Sequence, residues 1–322
     1  MTNLTKGKMI LNTMTKQKAV TAVLAMFIFM IFFPTNFFSS YNLLDLLNSA
    51  SIYIVLAFGI TIVIIGGGID LSIGGTLSLG GIIAIMCMNA GMPIWLAIVC
   101  AVLVGAVIGI INGYLVVYQK CAPFIITLGM GLVLTGFAQQ ITDAHPISPK
   151  NSEFMMIGNG YIFGVIPNLI IVMLVVFVIV HFIFRYTQFG RNIYAIGGDY
   201  EVAKHSGISV RKIQTATYVL CGAAAAFAGV LLSSTLNTGS AIYGDRIPLI
   251  VISAVVVGGT SLAGGVGGAP LAMIGYLVFG VMENSMNMLG INPYAQEVIR
   301  GVVVVTILFL DSYGRKRKRE TV

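Results

Sequence analysis

Ten long apolar stretches limit the folds open to this chain more than any other feature. They cover 19–37, 49–66, 75–92, 95–118, 123–141, 165–184, 213–236, 248–262, 269–289 and 294–310. Most approach the roughly twenty residues that a helix needs to cross a bilayer. The 248–262 stretch is short, as expected of a helix that ends in an unwound glycine segment. In hydrocarbon every backbone N–H and C=O must be satisfied internally, so such segments are helical. The expected fold is therefore all-α: a polytopic transmembrane helix bundle of about ten spans, forming a single integral-membrane domain over 1–322. Composition leaves little else. Hydrophobic residues make up 57% and charged residues 9%, against about a quarter charged in a soluble globule. The mean hydropathy is +0.97.

Lysine and arginine orient the bundle. Lys6, Lys8, Lys16 and Lys18 precede the first span, and Lys120 follows the fourth. Arg185, Arg191, Lys204, Arg211 and Lys212 lie in the loop 185–212, and Arg315, Lys316, Arg317, Lys318 and Arg319 in the tail 311–322. With ten spans and a basic N-terminus 1–18 inside, all of these fall in the cytoplasm. Only Lys150, Arg246 and Arg300 fall at or near the other face, as the positive-inside rule requires. The net charge of +7 thus reads as a topology signal with no nucleic-acid partner. The first span is too long for a cleaved signal and lacks a cleavage site. Cys87, Cys100, Cys121 and Cys221 have no metal-ligand spacing and read as small buried hydrophobes.

Two glycine-studded runs interrupt the apolar pattern: 67–75, GGIDLSIGG, and 257–265, VGGTSLAGG. Glycine is a poor filler for a helix that only crosses lipid. Paired glycine-broken segments in two halves of a membrane protein mark backbone that lines a pathway. The two runs share a direction in the predicted topology, which suggests a parallel repeat; chance likeness of glycine-rich segments is the alternative. Gly105, Gly109 and Gly113, with Gly222, Ala226 and Gly229, recur at helical spacing and read as helix-packing stripes.

Candidate pathway residues follow from these runs and from polar groups at membrane depth. They are Gly68, Asp70, Ser72, Gly74, Asn112, Thr127, Gly258, Gly259, Ser261, Gly264, Asn284 and Asn287, with Asn237 at a span end. Asp70 reads either as a gate or as the cap of the helix that follows it. The amides and hydroxyls can hydrogen-bond a passing neutral solute or bond helix to helix. Glu283 is the other intramembrane acid, and Glu297 and Arg300 are spaced to pair one turn apart. No Walker loop is present: Gly7-Lys8 has Thr2 where the first glycine belongs. No catalytic or metal-ligand set is apparent either, and His145, His181 and His205 are far apart.

The cytoplasmic loop holds the most specific pattern. Residues 190–208 read GRNIYAIGGDYEVAKHSGI. Asp199 can cap a short amphipathic helix from Tyr200 to His205, stopped by Ser206-Gly207. A helix held outside the membrane suits docking into a soluble partner's groove.

These residues, with GIDLSIG at 68–74 and VGGTSLAGG at 257–265, closely resemble the permease subunits of bacterial ABC importers for ribose, galactose, xylose and similar sugars. The resemblance spans nearly the whole chain. It implies a pathway for a monosaccharide in the inner membrane, formed by two copies of the chain or by one with a paralogous permease. A cytoplasmic ATPase with two nucleotide-binding halves would carry the ATP and Mg, leaving this chain with no cofactor and no catalysis of its own. An extracytoplasmic sugar-binding protein would deliver substrate. Gly190, Arg191, Ala195, Gly197, Gly198, Asp199, Glu201, Ala203, Ser206 and Gly207 would form the coupling surface seated in the ATPase. Two positions depart from the family pattern: Asp199 where Asn is usual, and Val202 where Ala is usual. They put interchange of ATPase partners in doubt. Other small solutes fit the same architecture: a nucleoside, an autoinducer-like furanosyl compound or a branched-chain amino acid. An ion-coupled secondary carrier is the rival class, and the coupling loop argues against it.

Overall fold

The structure is a computed structural model that describes residues 18–33 and 35–320. The basic stretch 1–17 lies outside the described residues, as do the side chains of Lys18 and of the tail 311–322. Thirteen helices follow one another among the described residues. They are α1 Lys18–Ile31, α2 Ser40–Ile65, α3 Ile73–Asn89, α4 Ile94–Gly113, α5 Pro123–Thr142, α6 Met155–Asn159 and α7 Asn168–Tyr186. Then come α8 Gln188–Gly198, α9 Tyr200–His205, α10 Val210–Leu236, α11 Ile247–Val257, α12 Ala269–Met288 and α13 Pro293–Glu320. A π turn, Tyr114–Tyr118, extends α4. The strands are a two-residue hairpin, β1 Tyr161–Ile162 against β2 Ile166–Pro167.

Each expected span contains one helix. Five are long and apolar enough to cross a membrane by themselves: α2, α4 with its π turn, α5, α7 and α10. The shorter apolar helices are α1, α3 and α11, and α12 and α13 complete the ten. Two boundaries differ from expectation for physical reasons. Helix α2 begins at Ser40, well before 49, because Ser39 caps it by accepting from Asn42 N at 3.2 Å. The Asn42 amide that makes this stretch look polar is satisfied inside the bundle. It exchanges hydrogen bonds with the Asn284 amide of α12 at 2.9 and 2.8 Å. Helix α11 stops at Val257, before 262, where Gly259 takes a φ of +109° that a side chain would resist.

Helix α10 is the centre of the bundle and packs against α4, α3 and α2. The small-residue stripes meet there. A Cβ on Gly105 would strike the Gly222 carbonyl, and one on Gly222 would strike the Gly105 carbonyl. Lipid tails are as apolar as leucine, so this close backbone approach, through dispersion, holds the pair together. The main core surrounds α2, whose Ile54, Leu56, Phe58, Ile60, Ile64 and Ile65 are fully buried. By contrast α5 turns Ile125, Leu132 and Val133 outward.

Candidate functional site

Helix α8 was not expected from the sequence, and it makes the junction on which the site rests. Thr187 caps it, accepting from Gly190 N at 3.0 Å, and Arg191 donates to Gln188 at 2.7 Å on its exposed side. Gly190, Ile193 and Ile196 face inward, while Ala195 and Gly198 are exposed. The inward face meets the end of α2, just ahead of the first glycine run, together with the turn of the second run. Gly265 N donates to Ile65 O at 2.9 Å, joining the end of α2 to the turn after α11. Gly197 presses on that bond: a Cβ there would overlap the Ile65 carbonyl oxygen and the Gly265 nitrogen. Gly264 lies against the Gly197 backbone. Tyr194 Oη donates to Gly267 O at 2.9 Å. Burial pushes the Tyr194 phenol up, which keeps it a neutral donor. Gln214 of α10 donates to Gly66 O at 3.0 Å from the other side.

The short helix expected after it is α9. Asp199 accepts from Val202 N at 3.0 Å as its cap. Ser206 and Gly207 end it, with Gly207 at φ +81° and Ile208 N reaching back to Ala203 O at 3.2 Å. Ala203 is buried against Ile196 and Val210. Tyr200, Glu201, Val202, Lys204 and His205 are exposed. Glu201 lies 3.9 Å from both Lys204 and His205. Tyr200 also borders a cavity of about 310 Å³ with Gly68, Lys120 and Tyr218.

Four of the candidate pathway residues gather at the start of α3 and are buried: Asp70, Ser72, Asn112 and Thr127. Asp70 Oδ1 accepts from Ser72 N at 2.9 Å and Ser72 Oγ at 2.6 Å. Asn112 of α4 donates to Ser72 Oγ at 2.8 Å, and Thr127 of α5 accepts from Leu71 N at 3.0 Å. The cluster ties three helices together at the segment just before α3, whose Leu71 and Ser72 N–H groups it satisfies, while α3 itself has no side-chain cap. Gly74 packs beneath Gly244 and Pro248. Gly258 lies against Leu271 of α12, and Ser261 N bonds Val266 O at 3.0 Å within the second turn. Asn287 accepts from Gln296 at 2.9 Å. Asn237 ends α10 in the left-handed region.

The structure also brings charges together that the sequence left apart. Arg300 does not pair with Glu297 one turn away. It reaches Glu283 of α12 at 3.5 Å, and Glu297 pairs with Arg246 at the head of α11. Helix–helix contact between α11, α12 and α13 outweighs the spacing along α13. Depth matters here. Eleven residues of α11 rise about 16 Å at 1.5 Å each, about half of a hydrocarbon layer of about 30 Å, so a helix that ends at one face would carry Arg246 at mid-depth. Asp245 and Arg246 are exposed there. Charged side chains at that depth face water or protein, because lipid is too costly a neighbour. A cavity of about 390 Å³ opens among them, walled by Tyr53, Tyr276, Glu283, Arg300, Asp245 and Arg246. The two tyrosines were invisible in an apolar pattern. The Asp245-Arg246 pair before a short span was the one available signal.

A family profile described as "Branched-chain amino acid transport system / permease component" matches residues 42–308. The chain is 36% identical over 307 residues to the ribose import permease protein of Haemophilus influenzae, covering 94% of this chain and 95% of that one. It is 39% identical over 278 residues to the ribose import permease protein of Bacillus subtilis, covering 86% of each. The L-arabinose transport system permease protein of Escherichia coli is 32% identical over 294 residues, covering 91% of this chain and 89% of its own. No solved structure matches.

Proposed function

The chain belongs to the family of branched-chain amino acid transport system permease components, and from that membership we propose that it forms the membrane passage of an ABC importer for a ribose-like monosaccharide. It is a multi-pass membrane protein. The sugar is preferred over an amino acid because relatives named for ribose and arabinose align over nearly the entire chain. In this reading α8 and α9 face the cytoplasm and seat in an ATPase of two nucleotide-binding halves, which holds the ATP and Mg. A binding protein delivers sugar from outside, and two copies of the chain enclose the passage. The chain itself performs no catalysis and holds no cofactor.

One observation carries the reading: α8 touches the ends of α2 and α11 in one place, through Gly197 at the Ile65–Gly265 bond and Tyr194 at Gly267. A push on α8–α9 therefore reaches the end of α2 and the glycine turn between α11 and α12, and with that turn two of the helices that bear the charged face. Two packed arrangements of such a junction would suffice for inward- and outward-open states. Asp245, Arg246, Glu283, Glu297 and Arg300 would then line the aqueous passage. The Asp70 cluster would anchor its wall.

Uptake of labelled ribose, by cells that express this chain with its ATPase and binding protein, tests the reading. Uptake should vanish when the ATPase loses hydrolysis. Accumulation driven by an ion gradient without the ATPase would instead establish a secondary carrier, and preferential uptake of leucine would establish an amino-acid importer.

A further inference from the structure

The tyrosine-walled cavity has features that lining an aqueous route does not require. Tyr53 of α2 and Tyr276 of α12 stack with centroids 5.5 Å apart and planes 22° from parallel. Among the described residues, neither phenol hydroxyl has a hydrogen-bond partner. Arg300 Nε is buried and also lacks one. Glu283 is held by Arg300 only at 3.5 Å, longer than the 2.7–2.9 Å of a good charge-assisted bond. The wall thus holds spare donors and a loosely bound acceptor. A second cavity of about 290 Å³ adjoins it, sharing Tyr53, Tyr276 and Glu283 and adding Asp45, Asn284 and Asn287.

We propose that this cavity is a binding station for the solute within the permease, built for a neutral polyhydroxylated molecule of monosaccharide size. The proposal rests on the transport reading above and names the chemistry of its passage. Volume fits: about 390 Å³ lies within the range of small-molecule sites, about 300–1,000 Å³. Charge fits as well. Asp245 and Glu283 balance Arg246 and Arg300 around the wall, so neither an anion nor a cation is favoured. Hydroxyl groups both donate and accept. They can take the accessible guanidinium N–H groups of Arg246 and Arg300, give to the Glu283 carboxylate, and do either with a phenol. Ile242 and Ile250 offer apolar surface to the C–H face of a sugar ring. Transport requires a station that is entered readily and left readily, so affinity should be millimolar.

Position connects the station to the drive. Glu283 and Tyr276 lie on α12 and Arg246 heads α11, and these two helices join at the turn that α8 grips. Movement at that turn would shift two walls of the cavity against Tyr53 and Arg300.

The test is equilibrium binding of labelled ribose, at millimolar concentration, to the purified permease in lipid nanodiscs without ATPase or binding protein. Wild type should bind saturably. Tyr276→Phe removes one hydroxyl, and Glu283→Gln removes the charge at constant shape. Each should weaken binding about five- to tenfold, the size of one or two lost hydrogen bonds, while melting temperature and ATPase association stay at wild-type values. Absence of saturable binding, or wild-type binding by both variants, overturns the station. Cellular uptake by the complete importer separates the two readings. Uptake without permease binding removes the station alone, whereas no monosaccharide uptake removes both.

Discussion

One methyl group should distinguish two neighbouring glycines of α8. A Cβ on Gly197 runs into backbone atoms of Ile65 and Gly265, whereas a Cβ on Gly198 meets nothing within reach. Backbone cannot rotate aside as a side chain can, so Gly197→Ala must lift α8 from the glycine turns. Overpacking of this sort costs about 1–3 kcal/mol, enough to reduce the seated arrangement about fivefold or more. Sugar uptake per permease should fall by that factor in Gly197→Ala, with ATP hydrolysis no longer responding to substrate, while Gly198→Ala transports normally. Equal uptake by the two variants would refute the junction. Asp70 poses a similar question by different chemistry. Its Oδ1 accepts both bonds from Ser72, and an asparagine Oδ1 can accept the same two. Asp70→Asn should therefore keep both fold and flux. Asp70→Ala leaves the buried Ser72 N–H unmet, at a cost of about 1–3 kcal/mol, visible as a lower melting temperature in detergent. A large flux loss in Asp70→Asn at unchanged protein level would favour the gate reading.

Between elements, the charged residues of α11, α12 and α13 matter more than any one of them alone. The sequence offered Glu297 and Arg300 as a pair along one helix. The packing instead uses each to reach a different neighbour, Arg246 and Glu283. The side chains of Arg246 and Glu297 are 72% and 49% exposed, so their direct attraction is worth about 1 kcal/mol or less. Like charge in the same place is a different matter, since two carboxylates would face each other at membrane depth. Arg246→Glu should reduce uptake severalfold, and the added exchange Glu297→Arg should recover most of it, while Glu297→Arg alone fails as the first variant does. Recovery is the informative outcome. Equal defects in the single and double variants would mean that Arg246 acts on something other than Glu297.

At the scale of the whole molecule, what was legible in the sequence was what the bilayer dictates. Span length, cap chemistry at Asp199 and the stop at Gly207 are local rules, and the ten helices and α9 followed from them. Helix α8 did not follow, because three glycines, Gly190, Gly197 and Gly198, lower the helix propensity of the stretch. Gly190 and Gly197 are there to let backbones touch, a reason that only the fold supplies. The Tyr53–Tyr276 stack and the crossed ion pairs were hidden for the same reason: their partners lie far away along the chain. Orientation stands between these cases, since it follows from charge counting and is open to direct labelling. Phe163, beside the β hairpin, is 93% exposed, and the Lys204 side chain on α9 is 60% exposed. In a chain with Cys87, Cys100 and Cys121 replaced by alanine, Phe163→Cys should react with a membrane-impermeant maleimide in spheroplasts. Lys204→Cys should react only after the membrane is opened, and less so once the ATPase is bound, because α9 would then be covered. The reverse pattern would put α9 on the outside, beyond the reach of any cytoplasmic ATPase, and the junction at Gly197 would have nothing to transmit.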